Sequence, residues 1–315
     1  MPVEPLIVEV VRSGFVESVH RARVLAVADG GEPVRAHGEV AVPVSPRSTM
    51  KPLQAVGMLR AGLDLDDRSL ALACASHAGE PFHVDGVRKI LADAGLGESA
   101  LQCPPALPES QDAAHELIRS GREPGRVHMD CSGKHAAMLA TCVVNGWPIA
   151  DYRHPTHPLQ RAIRRTVDEL TGERAVATGV DGCGAPLFFV SMVGVVRAYR
   201  ALVAAPPGSP ERRVADAMRA HPEWTSGTTR FENILMRALP GLLAKAGAEA
   251  FFAFVHEDGR AGAVKIEDGA RRARLPVVVA ALRALGLDAP ELIPFTATPV
   301  LGAGEPVGEI RVRGA

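Results

Sequence analysis

Ser48 and Lys51 stand three residues apart in "SPRSTMKPLQ" (45–54), where a valine-rich stretch gives way to helical spacing. Residues three apart on a helix share a face. In that arrangement a desolvated lysine amine can take the proton of a serine nucleophile, and the helix N-terminus favours the negative charge that develops. Ser-x-x-Lys pairs serve this purpose in penicillin-recognising enzymes. The plainer alternative makes Ser48 a helix N-cap and Lys51 a solvated helix residue, and spacing leaves both open. The lysine inventory sharpens the question. Among 35 Lys+Arg, only Lys51, Lys89, Lys134, Lys245 and Lys265 are lysines. Arginine carries a permanent charge, whereas burial can pull a lysine amine toward neutrality. A lysine kept in so arginine-rich a chain marks a place where a titratable amine is of use.

Two further groups have chemical potential. Ser76 lies in "CASHAGE" after the apolar run "LALACA", and Lys265 lies in "GAVKIEDG". Alternation along "AVKIE" puts Val264 and Ile266 on one strand face and Lys265 on the other. From there Lys265 could support a serine nucleophile electrostatically or act as a second base; a solvated strand face is the plainer reading. "MDCSGKHAAM" offers Cys131, Lys134 and His135 within five residues, and "GVDGCGAP" offers Asp181 and Cys183 in a glycine-rich turn. Two thiolates and a nitrogen could hold Zn²⁺ with water or substrate in the fourth position. No CxxC or HExxH pattern supports that set, and buried single cysteines usually serve as small core residues. By this logic Cys74, Cys103 and Cys142 are most simply structural, and the same reading is the default for Cys131 and Cys183.

These residues need elements to hold them. "LIVEVV" and "RVLAVADGGEPVRAHGEVAVPV" read as strands, with "DGG" as a hairpin turn. From Met50 to Leu59 the apolar spacing becomes helical, stopping at Gly62. Further helices are expected over roughly 80–95, 111–121, 134–145 and 157–171. A buried helix is expected over 186–205. "TTRFENILMRALPGLLAKAG" reads as an amphipathic helix broken near Pro240. "AFFAFVHEDGRAGAVKIEDG" reads as two strands around the hairpin signal "EDGR", and "PVLGAGEPVGEIRVRGA" as a last strand. Strands at both chain ends around a helical middle define an α+β fold with an antiparallel sheet built from both ends.

Composition excludes several classes. A formal net charge of −1 offers no field for nucleic acid or acidic lipid. The longest apolar run, "APLFFVSMVGVV", is too short to span a bilayer. The N-terminus has no basic n-region, and five cysteines, an odd number, argue against a disulfide framework. The expectation is a cytoplasmic protein in a reducing compartment, formed as one domain over residues 1–315.

Taken together, seven segments in order resemble the Rhizobium-type L-asparaginases. They are "RSGFVESVH" (12–20), "SPRSTMKPLQA" (45–55), "CASHAGEPFH" (74–83), "MDCSGKHAAML" (129–139), "HPLQ" (157–160), "GVDGCGAP" (179–186) and "VKIEDG" (264–269). The resemblance implies a serine-β-lactamase-like fold and hydrolysis of L-asparagine to L-aspartate and ammonia in a homodimer. It makes Ser48–Lys51 and Ser76–Lys265 two catalytic Ser-Lys tandems. Cys131, Lys134 and Cys183 become zinc ligands, while Arg47, His135 and Asp181 become substrate-binding or supporting residues. One departure stands out: where some members carry a further cysteine near the metal, the matching residue is Ala253. Two rival functions use the same residues. One is an amidohydrolase of other specificity, acting on glutamine, a β-lactam or an ester. The other is a non-catalytic zinc-binding or redox-responsive protein with Cys131 and Cys183 as its sensor.

Overall fold

The computed structural model describes residues 4–314. In chain order its strands are β1 (Leu6–Arg12), β2 (Phe15–Val27), β3 (Pro33–His37), β4 (Ala177–Val180), β5 (Pro186–Phe189), β6 (Leu242–Ala246), β7 (Phe251–His256), β8 (Ala261–Ile266), β9 (Ala297–Gly302) and β10 (Glu305–Val312). The chain forms two compact units. Among the described residues, the sheet unit takes the chain up to Thr49, Val190–Ala204 and Ile234 onward. The helical unit takes Met50–Phe189 and Ala205–Asn233.

The sheet unit is built on eight antiparallel strands in the order β6-β7-β8-β2-β1-β10-β9, with β3 also paired to β2. Both chain ends meet in it: Val8 stands opposite Val312 and Val10 opposite Ile310. Strand β2 is long enough to serve two partners along one edge, β1 over its first part and β3 over its last. Its other edge carries β8, which places Arg23 opposite Lys265. Helices Met192–Ala204 and Arg274–Ala284 pack against the sheet, burying Phe252, Phe254, Val264 and Ile266 with Val195, Leu202, Val278 and Leu282. The expected α+β arrangement, with an antiparallel sheet built from both chain ends and a helical middle of the chain, is the one observed.

In the helical unit the expected helices run Lys51–Arg60, Pro81–Asp93, Gln111–Arg119, Ser132–Val144 and Pro158–Thr171, joined by Asp67–Ala73 and Pro210–Ala220. Helix Ser132–Val144 is buried on nearly every side, as its alanine-rich sequence allows. Gly133 is needed for that burial, because a Cβ there would stand 2.4 Å from the Leu72 carbonyl oxygen. Gly57 likewise lets helix Lys51–Arg60 cross close to Ile163.

Three details differ from the sequence expectation. The stretch 186–205 is strand β5 followed by a helix, because Ser191 accepts the Gly194 N–H at 2.9 Å and starts a new helix there. After Pro240 the chain does not resume a helix. Gly241 turns it at φ +89°, and "LLAKA" pairs with β7 as strand β6. The C-terminal segment supplies two strands, β9 and β10, rather than one.

Candidate active site

Lys51 opens its helix with Pro52 behind it, and its side chain is 1% exposed. Its Nζ donates to the Ala75 carbonyl at 2.5 Å and to Ser76 Oγ at 3.0 Å. The hydrogen bond therefore joins Lys51 to Ser76, whereas the spacing had joined it to Ser48. Ser76 follows helix Asp67–Ala73 on an extended segment tied down by Ser76 N–H to Thr225 O (3.2 Å) and His77 N–H to Asp130 O (3.0 Å). His77 locks the next turn. Its Nδ1 accepts the Gly79 N–H at 3.1 Å, so the ring proton sits on Nε2 and is donated to Ser132 Oγ at 2.8 Å. Ser132 passes its own proton to Val127 O. Burial, then the neighbouring His83, keeps His77 well below the usual histidine pKa and hence neutral.

One helix turn supplies the sulfur cluster. Cys131 caps helix Ser132–Val144, and Lys134 and His135 lie in its first turn. Cys183 comes from the β4–β5 turn, where Gly184 takes φ +84° and Asp181 accepts the Gly184 N–H at 2.8 Å. The two cysteines share a hydrogen bond, and Lys134 Nζ donates to Cys183 Sγ at 3.1 Å. That bond from Cys131, reinforced by the Lys134 charge, holds Cys183 far below the usual thiol pKa against its burial. The same bond and burial raise Cys131 well above it, so one thiolate is shared between two sulfurs. Burial pulls Lys134 down, but the charges of Cys183, Cys131 and Asp181 outweigh it and keep the amine protonated. Lys51 behaves alike: burial lowers its pKa, Cys131 and Asp130 raise it, and the net shift is upward. The expected neutral Lys51 thus requires the negative charge of the sulfur pair and of Asp130 to be compensated.

The resemblance implies zinc here, and the donor set suits it. Two sulfurs and an amine converge in a buried site, and His135 Nε2 lies against Cys183 with no partner in full hydrogen-bond geometry. Thiolate and nitrogen are the ligands zinc favours. Among the described residues no three His, Cys, Asp or Glu side chains form a metal-binding group, so the set reaches three only through Lys134. All five cysteines are buried thiols outside any disulfide.

The remaining candidates belong to the sheet unit. Ser48 sits in the single turn Arg47–Met50 and is 9% exposed. Arg47 before it adopts φ +52°, a left-handed conformation rare outside glycine. Strain of this kind clusters at functional sites. Thr49 Oγ1 bonding Pro46 O and Tyr199 OH bonding Thr49 O hold the turn. Gly247 admits it, because a Cβ there would stand 2.7 Å from Pro46 O. Lys265 is half-buried on β8 with Val264 and Ile266 facing inward, as the alternation predicted. Its Nζ donates to Glu249 O at 2.5 Å, and burial lowers its pKa. Ala253 stands opposite Lys245, a third buried lysine that the sequence reading passed over. His20, the last residue of "RSGFVESVH", bonds Asp268 at 2.6 Å through Nδ1 and accepts from Arg272 at 3.0 Å through Nε2. This ties that motif to "VKIEDG".

Missing from the sequence reading were His77, Ser132 and Tyr152. Tyr152 had a signal: it is one of only two tyrosines, the other being Tyr199, and each is wholly buried with its hydroxyl bonded.

A half-buried serine is thus bonded to a buried lysine, beside a buried sulfur cluster on an α+β scaffold. The chain belongs to the L-asparaginase II family, whose defining pattern matches residues 8–312. It is therefore a hydrolase of the amide-cleaving class with a small-molecule substrate. No curated protein matches it. Among solved structures it is similar to a candidate β-lactamase from Bacteroides dorei DSM 17855, with 15% identity, 84% of this chain and 93% of that one covered, and a TM-score of 0.44. It is also similar to EstCE1, a hydrolase with promiscuous acyltransferase activity, with 14% identity, coverage of 90% and 93%, and a TM-score of 0.41. Among the described residues no helix is long and apolar enough to cross a membrane.

Proposed function

We propose that the protein hydrolyses L-asparagine to L-aspartate and ammonia through an acyl-enzyme. The observation that carries this reading, within the amide-hydrolase family, is the 3.0 Å hydrogen bond from Lys51 Nζ to Ser76 Oγ. Ser48 attacks the side-chain amide carbon and gives its proton to Lys51. Ser76, already bonded to Lys51, relays that proton to the departing nitrogen, which leaves as ammonia. Water then attacks the Ser48 ester and gives a proton to Lys51, which returns it to the departing Ser48 Oγ as aspartate is released. Lys265 assists by stabilising the developing oxyanion. Ser-x-x-Lys pairs with a serine nucleophile in penicillin-recognising enzymes provide a chemical precedent for the pairing.

Cys131, Lys134 and Cys183 would hold zinc, with His135 and Asp181 in support. When bound, zinc would compensate the thiolate charge that keeps Lys51 protonated and offer a Lewis-acidic position to the amino-acid end of the substrate. Arg47 is assigned to the substrate carboxylate. The buried cysteines, outside any disulfide, support a reducing, cytoplasmic setting, and a homodimer is expected from the family resemblance alone.

Ammonia release from L-asparagine by wild type, Ser48→Ala and Ser76→Ala tests the scheme. Activity abolished by Ser48→Ala and slowed by Ser76→Ala supports it. Activity that survives Ser48→Ala and vanishes with Ser76→Ala reverses the two serine roles.

A further inference from the structure

We propose that Tyr152 is a positioning residue for the Cys183 sulfur: its hydroxyl fixes His135 as the tautomer protonated on Nε2, and that N–H is directed at the sulfur. The inference rests on the reading of Cys131, Lys134 and Cys183 as a metal-holding set. It also gives a task to "HPLQ" (157–160), a motif with no part in the proposed chemistry.

The argument begins at the tyrosine. Tyr152 is wholly buried, and its hydroxyl oxygen accepts the Gln102 N–H at 3.2 Å. The hydroxyl proton is then free to be donated, and His135 Nδ1 lies 2.6 Å away. The rings meet edge-on, with centroids 5.6 Å apart and planes at 79°. A neutral imidazole that accepts at Nδ1 carries its proton on Nε2. His135 Nε2 is buried and makes no hydrogen bond in full geometry. What it does meet is Cys183, with which it interacts favourably. A buried donor left without an acceptor is destabilising, and the Cys183 sulfur is the acceptor this inference assigns to it. Cys183 thus draws on Lys134, Cys131 and His135 together.

The tyrosine is itself held from several directions. Gln160, the last residue of "HPLQ", donates to the Tyr152 carbonyl at 2.8 Å. His157 in the same motif bonds Pro148 O at 2.9 Å and caps its helix by accepting the Leu159 N–H at 3.2 Å. Gln102 donates to Ala150 O at 2.7 Å and accepts from Arg153 at 2.9 Å. The segment 148–153 is therefore fixed on both sides of Tyr152. Outer partners of this kind set the tautomer and orientation of groups around a metal.

Two readouts test the relay. In ¹⁵N-histidine NMR of the metal-free protein, His135 should show a protonated Nε2 and an unprotonated Nδ1, and Tyr152→Phe should shift it toward the other tautomer. Zinc affinity, measured with Zn²⁺ against a chromophoric chelator, should fall by about 10–100-fold in Tyr152→Phe. His135→Gln, whose amide N–H can replace the imidazole donor, should retain most of the affinity and make Tyr152→Phe silent in the double variant. A protonated Nδ1 in wild type, or unchanged zinc affinity in Tyr152→Phe, overturns the inference. Wild type that binds no zinc removes the metal reading, and the tautomer in the metal-free chain still decides the relay.

Discussion

Replacing Lys51 by methionine separates chemistry from stability. The substitution keeps the length of the side chain but removes the donor to Ala75 O and Ser76 Oγ. An orphaned buried carbonyl costs about 1–3 kcal/mol, and Cys131 and Asp130 lose a counter-charge. Against this, a buried ammonium carries a desolvation penalty of several kcal/mol, which methionine escapes. These opposing terms leave a net stability change of about 0–2 kcal/mol, or a few degrees in Tm for a chain of this size. Catalysis has no such compensation. Loss of a general base lowers the rate by about 10²–10⁴-fold, equivalent to about 3–5 kcal/mol of transition-state stabilisation. Lys51→Arg should fail as badly, because its guanidinium keeps the charge but cannot give up a proton. The assay is ammonia release from L-asparagine, with thermal unfolding followed by circular dichroism on the same preparations. A folded Lys51→Met within about tenfold of wild type would refute the base assignment. An active Lys51→Arg would show that the charge, not proton transfer, is what the site needs.

Three further outcomes follow from the geometry. Burial lowers His83 from 6.5 to about 4. Its stabilising contribution is complete above pH 6.5, where the unfolded chain is also neutral, and is lost as pH falls toward 4 because the unfolded state binds the proton first. The amount is on the order of 3 kcal/mol, so His83→Phe should flatten the urea stability profile between pH 6.5 and 4; an unchanged slope rejects the assignment. Gly133→Ala forces a Cβ against the Leu72 carbonyl and should destabilise the chain by about 1–3 kcal/mol in urea unfolding, whereas an equally stable variant would mean the two helices separate freely. Zinc removal by a chelator should lower Tm, since a ligand that binds only the folded state stabilises it; identical melting with and without Zn²⁺ contradicts the metal reading.

Patterned, local features were legible in the sequence. Alternation placed Lys265 on the outward face of β8 with Val264 and Ile266 inside, and "EDGR" marked its hairpin. Helical periodicity located most helices of the middle region, with "DCSGKH" at the start of one. Partnership between distant residues was not legible. Spacing ties Lys51 to Ser48, but its amine bonds Ser76, 25 residues away, because the extended segment after helix Asp67–Ala73 returns to it. Hydrogen-bond direction was hidden as well: nothing in "SHAG" announces that His77 locks its own turn through Gly79 and Ser132. The charge state of Lys51 likewise depends on Cys131 and Asp130, which approach only in the folded chain. Strand β6 was missed because "LLAKA" fits helix and strand equally until β7 is beside it.

The most direct test of the central claim is product formation by purified wild-type protein supplied with Zn²⁺ and given L-asparagine or L-glutamine. The account predicts stoichiometric L-aspartate and ammonia from asparagine. Well-folded, zinc-loaded protein that releases ammonia from neither amide would contradict it.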